Sequence, residues 1–229
     1  MKTSGVIKRV PLKFHKSLRL GLPRNVKSGL ALAYTDPQGD CFFQALSIVL
    51  SNPSESVEHA FPQNFNHTGI STEMLRKIVA NTVLYQNNTL ANSTIVFWKE
   101  LYTSAKTADS ENIITEYNHI SCIENDPLPL SSTARNKLRN AMMDKTVYWG
   151  EQYAISTLAA IFNLRIVIFN EHGQIAADVF SDMSKKKSNL PRRIVFLYLS
   201  TKHTHYDAIL IAGKGSFLIT EPIINDILK

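Results

Sequence analysis

Cys41 is one of two cysteines, the side chain best suited to nucleophilic attack, in this 229-residue chain. It follows the turn-rich stretch Asp36-Pro37-Gln38-Gly39-Asp40 and opens a run with almost no polar residue, Phe42 to Leu50. Pro37 disfavours helix before it, and Gly39 permits backbone angles closed to other residues. The spacing therefore puts Cys41 at the start of a buried helix. There the free N–H groups of the first turn and the helix dipole favour a thiolate. The backbone at Gly39, Asp40 and Cys41 could also aim N–H groups at one point, as an oxyanion hole requires. The local sequence equally suits a small core residue, because free cysteine is among the most buried types. A thiolate nucleophile needs a proton shuttle and an orienter for it. Of the seven histidines, His15 lies in a basic leader. His59, His67, His119 and His172 fall in polar loops or at helix ends, where a solvated ring is expected. His203 and His205 stand at the mouth of a strand, and His205-Tyr206-Asp207 leads into Ala-Ile-Leu-Ile. Residues i and i+2 of a strand share a face, so Asp207 can accept from the His205 imidazole and hold its tautomer.

Three stretches together resemble the signatures of the ovarian-tumour (OTU) cysteine proteases. They are Gly39-Asp40-Cys41-Phe42-Phe43-Gln44-Ala45-Leu46, Trp149-Gly150-Glu151 at the start of a helix, and His205-Tyr206-Asp207. Most members of that family are deubiquitinases. The resemblance implies that Cys41 is the nucleophile, His205 the general base and Asp207 its orienter, on a papain-like α/β (α+β) fold. It implies backbone oxyanion donors at Gly39, Asp40 and Cys41, no cofactor, and ubiquitin or polyubiquitin as the partner of a monomeric enzyme. It covers about residues 34–50 and 147–212. The family usually carries Asp three residues before the cysteine, where this chain has Gln38. The interval between Cys41 and Trp149 is longer than in many members. Some bacterial effector members carry an enlarged helical lobe there, and residues 71–145 are similar in character. By that likeness the lobe is assigned to substrate binding, with a purely structural cap as the alternative, and the expected location is a eukaryotic cytosol reached as a secreted effector. Another papain-like thiol hydrolase for a ubiquitin-like modifier, or an inactive ubiquitin-binding module, are the alternative functions.

The elements that must position these residues follow from periodicity and punctuation. Ser71 caps a helix over about 73–85, with Met74, Leu75, Ile78, Val79 and Val83 on one side. Helical pieces follow at 94–106, 111–120 and 132–145. Ile155, Leu158, Ala159 and Phe162 define an amphipathic helix over 151–162. Strands are expected at 165–169, 175–180, 194–199, 205–211 and 216–220. The pattern predicts a small central sheet from the C-terminal half, flanked by helices, with a helical lobe inserted between the cysteine helix and the Trp-Gly helix. Trp149 reads as a packing anchor and Cys122 as structural.

Charge and composition narrow the partners. The formal net charge is +6, yet residues 1–35 hold eight Lys or Arg and no acid. The remaining 194 residues carry 17 basic and all 19 acidic side chains, a net −2. The basic excess belongs to a leader, residues 1–33, and not to the catalytic domain expected over 34–229, so nucleic acid is not an expected partner. Lys185-Lys186-Lys187 with Arg192 and Arg193 reads as a solvated basic loop. No apolar run approaches the ~18 residues of a membrane helix, and the N-terminus lacks the apolar core of a secretory signal. Two cysteines make no disulfide framework, and no His/Cys pair has zinc-ligand spacing, so no metal is expected.

Overall fold

A computed structural model describes residues 7–8, 29–37, 39–60, 70–180, 193–200 and 205–228. Most of the basic leader, Gln38, His67, the Lys185–Lys187 stretch, Arg192 and His203 lie outside them. The described residues form a mixed α/β fold. Strands β1 (Ile7–Lys8), β2 (Leu30–Ala33), β3 (Leu164–Asn170), β4 (Ile175–Phe180), β5 (Arg193–Ser200), β6 (His205–Ile211) and β7 (Ser216–Leu218) make one sheet. Its order is β1-β2-β6-β5-β3-β4, with β7 paired to β5. Only β3 and β5 run parallel; the other pairings are antiparallel.

Both faces of the central strands are covered, which explains why Arg165-Ile-Val-Ile-Phe169 is apolar without alternation. Ile166 and Ile168 point into the larger core, while Val167 and Phe169 join a second cluster on the opposite face. That second cluster gathers Leu32, Phe196, Ile209 and Phe217, with Ile224 from helix α8 (Pro222–Ile227). Leu30–Ala33 belongs to the sheet interior, so β2 is a structural strand within the basic N-terminal region.

Helix α1 (Cys41–Leu50) buries Phe42, Phe43, Ala45, Leu46, Val49 and Leu50. It is wedged between β6 and the helical layer, which is why it carries no polar face. A short helix, α2 (Glu55–Ala60), follows. Residues 70–143 then form the expected helical lobe: α3 (Thr72–Thr82), α4 (Thr89–Thr107), α5 (Glu111–Glu116), a 3-10 turn (Asn118–Ile123) and α6 (Ser132–Met143). Each of the three long helices has a side-chain cap. Ser71 accepts from the Met74 N–H, Asn88 from Ala91 and Ser131 from Ala134. Helix α4 starts five residues before the expected 94, because Asn88 caps it while Thr89–Ser93 carries no apolar stripe. Helix α7 (Gln152–Ile161) returns the chain to β3.

Candidate active site

Cys41 is the first residue of α1, and His205 and Asp207 open β6. The Tyr206 backbone N–H is directed at the Cys41 sulfur, so α1 and β6 meet at this point. His205 Nε2 lies 3.2 Å from Asp207 Oδ1. Asp207 is buried, at 2% exposure. The other ring nitrogen of His205, Nδ1, is buried without a hydrogen-bond partner among the described residues. His205 and Asp207 thus come together, as their spacing on one strand face required, and Cys41 lies beside them at Tyr206.

Sequence reasoning missed Thr35. The β2–β6 register pairs Ala33 with Ala208, and continuing it brings Thr35 opposite Tyr206. The Thr35 N–H donates to Asp207 Oδ1 at 2.9 Å. Its hydroxyl donates to the Tyr206 carbonyl and sits 3.3 Å from His205 Nε2. Asp207 is therefore held from two sides. Only the strand register could have shown this, since Thr35 lies far from His205 in sequence and in a stretch with no motif.

Helix-start geometry alone does not yield a ready thiolate. Burial pushes the Cys41 thiol above its ordinary value, and the Asp207 charge adds to the rise. The backbone N–H groups of Tyr206, Phe42 and Cys41 itself oppose it without prevailing. The expectation of a depressed thiol thus gives way to a buried one, in which charge on sulfur calls for an adjacent imidazolium. Burial also raises Asp207, opposed by the Thr35 N–H and by His205.

The loop before the cysteine is shaped by close approach. Gly39 has φ +83°, and a Cβ there would lie 1.9 Å from the Lys145 carbonyl oxygen. Gly150 leaves no room either: a Cβ would stand 2.4 Å from the Phe42 ring. The Trp149-Gly150 backbone therefore packs directly on the cysteine helix.

Cys41 opens onto a cleft of about 530 Å³. One wall is Trp149-Gly150-Glu151-Gln152; Ile168, Leu199 and Tyr206 of the sheet form another. Asn112, Thr115 and Glu116 of α5 close a third side, so the lobe reaches the site through α5. Trp149 is 49% exposed at the cleft edge and is not the packing anchor its sequence position suggested. Tyr148 is the buried anchor instead, and its hydroxyl donates to Glu151 at 3.3 Å. Burial lifts the Glu151 carboxyl to about 7, a rise that Glu116 reinforces and the Tyr148 hydroxyl opposes.

His119 departs from the solvated ring expected of it. It is fully buried among Trp98, Tyr148 and Tyr117, with ring centroids 4.6, 4.9 and 6.1 Å away. Neither ring nitrogen has a hydrogen-bond partner among the described residues, and burial lowers its pKa to about 3. Cys122 is half-buried in the 3-10 turn, its thiol bonded to the His119 carbonyl at 3.2 Å and raised by burial.

No protein-family model matches the chain, and no curated protein matches it. Among solved structures, the chain is similar to an ovarian-tumour domain in complex with ubiquitin, at 13% identity and a TM-score of 0.47. That match covers 87% of this chain and 80% of the other. The OTU domain of OTUD1 matches at 12% identity and a TM-score of 0.38, covering 86% of this chain and 97% of that one.

Proposed function

We propose that this protein is a thiol-dependent deubiquitinase that hydrolyses isopeptide bonds in ubiquitin conjugates or polyubiquitin through Cys41, His205 and Asp207. One observation carries the reading. A helix-opening cysteine is seated against the strand that bears a histidine hydrogen-bonded to a buried carboxylate, beside a cleft walled by Trp149-Gly150. That site combines a nucleophile, a proton carrier and an orienter. The likeness of three motifs to the OTU proteases supplies the substrate class.

The reaction begins with proton transfer from the Cys41 thiol to the free nitrogen of His205, while Asp207 fixes the ring through the other nitrogen. The thiolate attacks the carbonyl carbon of ubiquitin's terminal glycine, forming a C–S bond and a tetrahedral oxyanion. Backbone N–H groups at Gly39, Asp40 and Cys41 receive that charge. The C–N bond then breaks as imidazolium His205 protonates the departing lysine amine, leaving a thioester. His205 next takes a proton from water, hydroxide attacks the thioester, and the C–S bond breaks to release the carboxylate and the thiol.

A ubiquitin probe with a C-terminal electrophile tests this. Wild type and Cys122→Ala should form the covalent adduct, and Cys41→Ala should form none. Di-ubiquitin should be cleaved by the same variants. Tight ubiquitin binding without any adduct would instead establish a binding module.

A further inference from the structure

Arg76 on α3 is 4% exposed, and all five N–H donors of its guanidinium are engaged. Nε and Nη2 both donate to Asp40 Oδ1, at 2.9 and 2.6 Å. Nη2 also donates to the Gly39 carbonyl at 3.0 Å. Nη1 donates to the Met142 carbonyl at 2.9 Å and to the Tyr148 carbonyl at 2.8 Å. The guanidinium carbon lies 4.6 Å over the Phe43 ring. A single side chain from the helical lobe thus ties together the residues before Cys41, the cysteine helix, the end of α6 and the residue before Trp149.

The Asp40 carboxylate shows what this arrangement does. Asp40 is the N-cap of α1, a position where an aspartate usually accepts from the N–H groups of the first turn. Here it makes no such bond. Its carboxylate is turned to Arg76, while its own carbonyl takes the first helical bond from the Gln44 N–H at 2.8 Å. Left to itself, that carboxylate would place negative charge where the oxyanion must form and occupy the donors meant for it.

We propose that Arg76 is a positioning residue for the cysteine centre. It holds the Asp40 carboxylate off the helix start and fixes Gly39-Asp40 against Tyr148, so that the N–H groups beside Cys41 stay open to the developing oxyanion. The kinetic part rests on the proposed hydrolase reading; the geometric part does not. Lysine retains the charge but cannot serve four acceptor atoms from one point.

Two reactions at Cys41 separate positioning from general structure. Hydrolysis of a ubiquitin-coumarin amide develops an oxyanion, whereas alkylation by iodoacetamide displaces iodide and develops none. Arg76→Lys should lower kcat about 10²-fold with KM within about threefold, the scale of losing an oxyanion donor, and leave the alkylation rate within about threefold. Asp40→Ala, which takes away the restrained carboxylate along with its tie to Arg76, should show a smaller selective loss in the same direction, and Asp40→Asn, which keeps an oxygen acceptor for Arg76, should lose less still. Amide hydrogen exchange at 39–42 and 146–151 should accelerate in Arg76→Lys without any substrate present. A parallel fall in both reactions, an unchanged kcat, or unchanged exchange in those segments overturns the proposal. Should Arg76→Lys not fold, the two Asp40 variants decide it. Wild type that alkylates yet does not hydrolyse the ubiquitin amide refutes the hydrolase reading, while the exchange measurement still judges Arg76.

Discussion

At the scale of single residues, the balance of charge around Cys41 governs the chemistry. The thiol is raised by burial first and by the Asp207 carboxylate as well, so Asp207 works against a lone thiolate while it orients His205. This predicts a specific pH response. In a Cys122→Ala background, His205→Ala leaves Cys41 without its proposed proton acceptor. Its alkylation by iodoacetamide should then rise with pH through an inflection above the ordinary thiol value. Adding Asp207→Asn removes a like charge and should move that inflection down. An inflection below the ordinary value, or one indifferent to Asp207→Asn, would contradict the electrostatics. The pairing of His205 with Asp207 was legible in the sequence because a strand places i and i+2 on one face. Thr35 and Arg76 were not, since each reaches its partners by a register or a packing contact that no local pattern encodes.

At the scale of elements, the helical lobe is built around an aromatic knot. Trp98 of α4 packs edge-on against His119, Tyr148 and Tyr153. His119 is neutral there, with a pKa near 3 against about 6.5 in an unfolded chain. A depressed folded-state value gives stability that is complete above the unfolded pKa and is lost as pH falls from about 6.5 toward 3. Between pH 7 and pH 4.5 the loss from this one group is on the order of 2–3 kcal/mol. Urea unfolding at the two pH values should show His119→Phe losing less stability than wild type by about that amount. Equal losses would mean that the ring is not the acid-sensitive group. The helices themselves were readable from caps and apolar spacing, at Ser71 and over 151–162 above all. The burial of His119 was not, because the Trp98 and Tyr148 rings that cover it come from elsewhere in the chain.

At the scale of the whole molecule, charge is spread unevenly along the chain. Residues 1–28 hold eight basic side chains and no acid, and residues 29–229 are left at a net −2. The strand nearest the site on that side, β2, begins at Leu30 and lies against β6. Removing residues 1–28 should therefore leave kcat on the ubiquitin amide within about twofold, while the salt dependence of substrate association changes. A large fall in kcat would place the leader in the reaction itself. Among the described residues no helix is long and apolar enough to cross a membrane. The sequence by itself determined most of the elements, though not the helices Glu55–Ala60 and Pro222–Ile227, together with the helix start at Cys41 and the shared face of His205 and Asp207, because caps, 3.6-residue and two-residue periodicities are local. Only the tertiary structure decided that Cys41 meets β6, that Thr35 and Arg76 brace the site, and that the thiol is raised and not lowered. Those facts depend on strand register, on desolvation and on contacts between residues remote in the chain, and none of these is written in any one stretch of it.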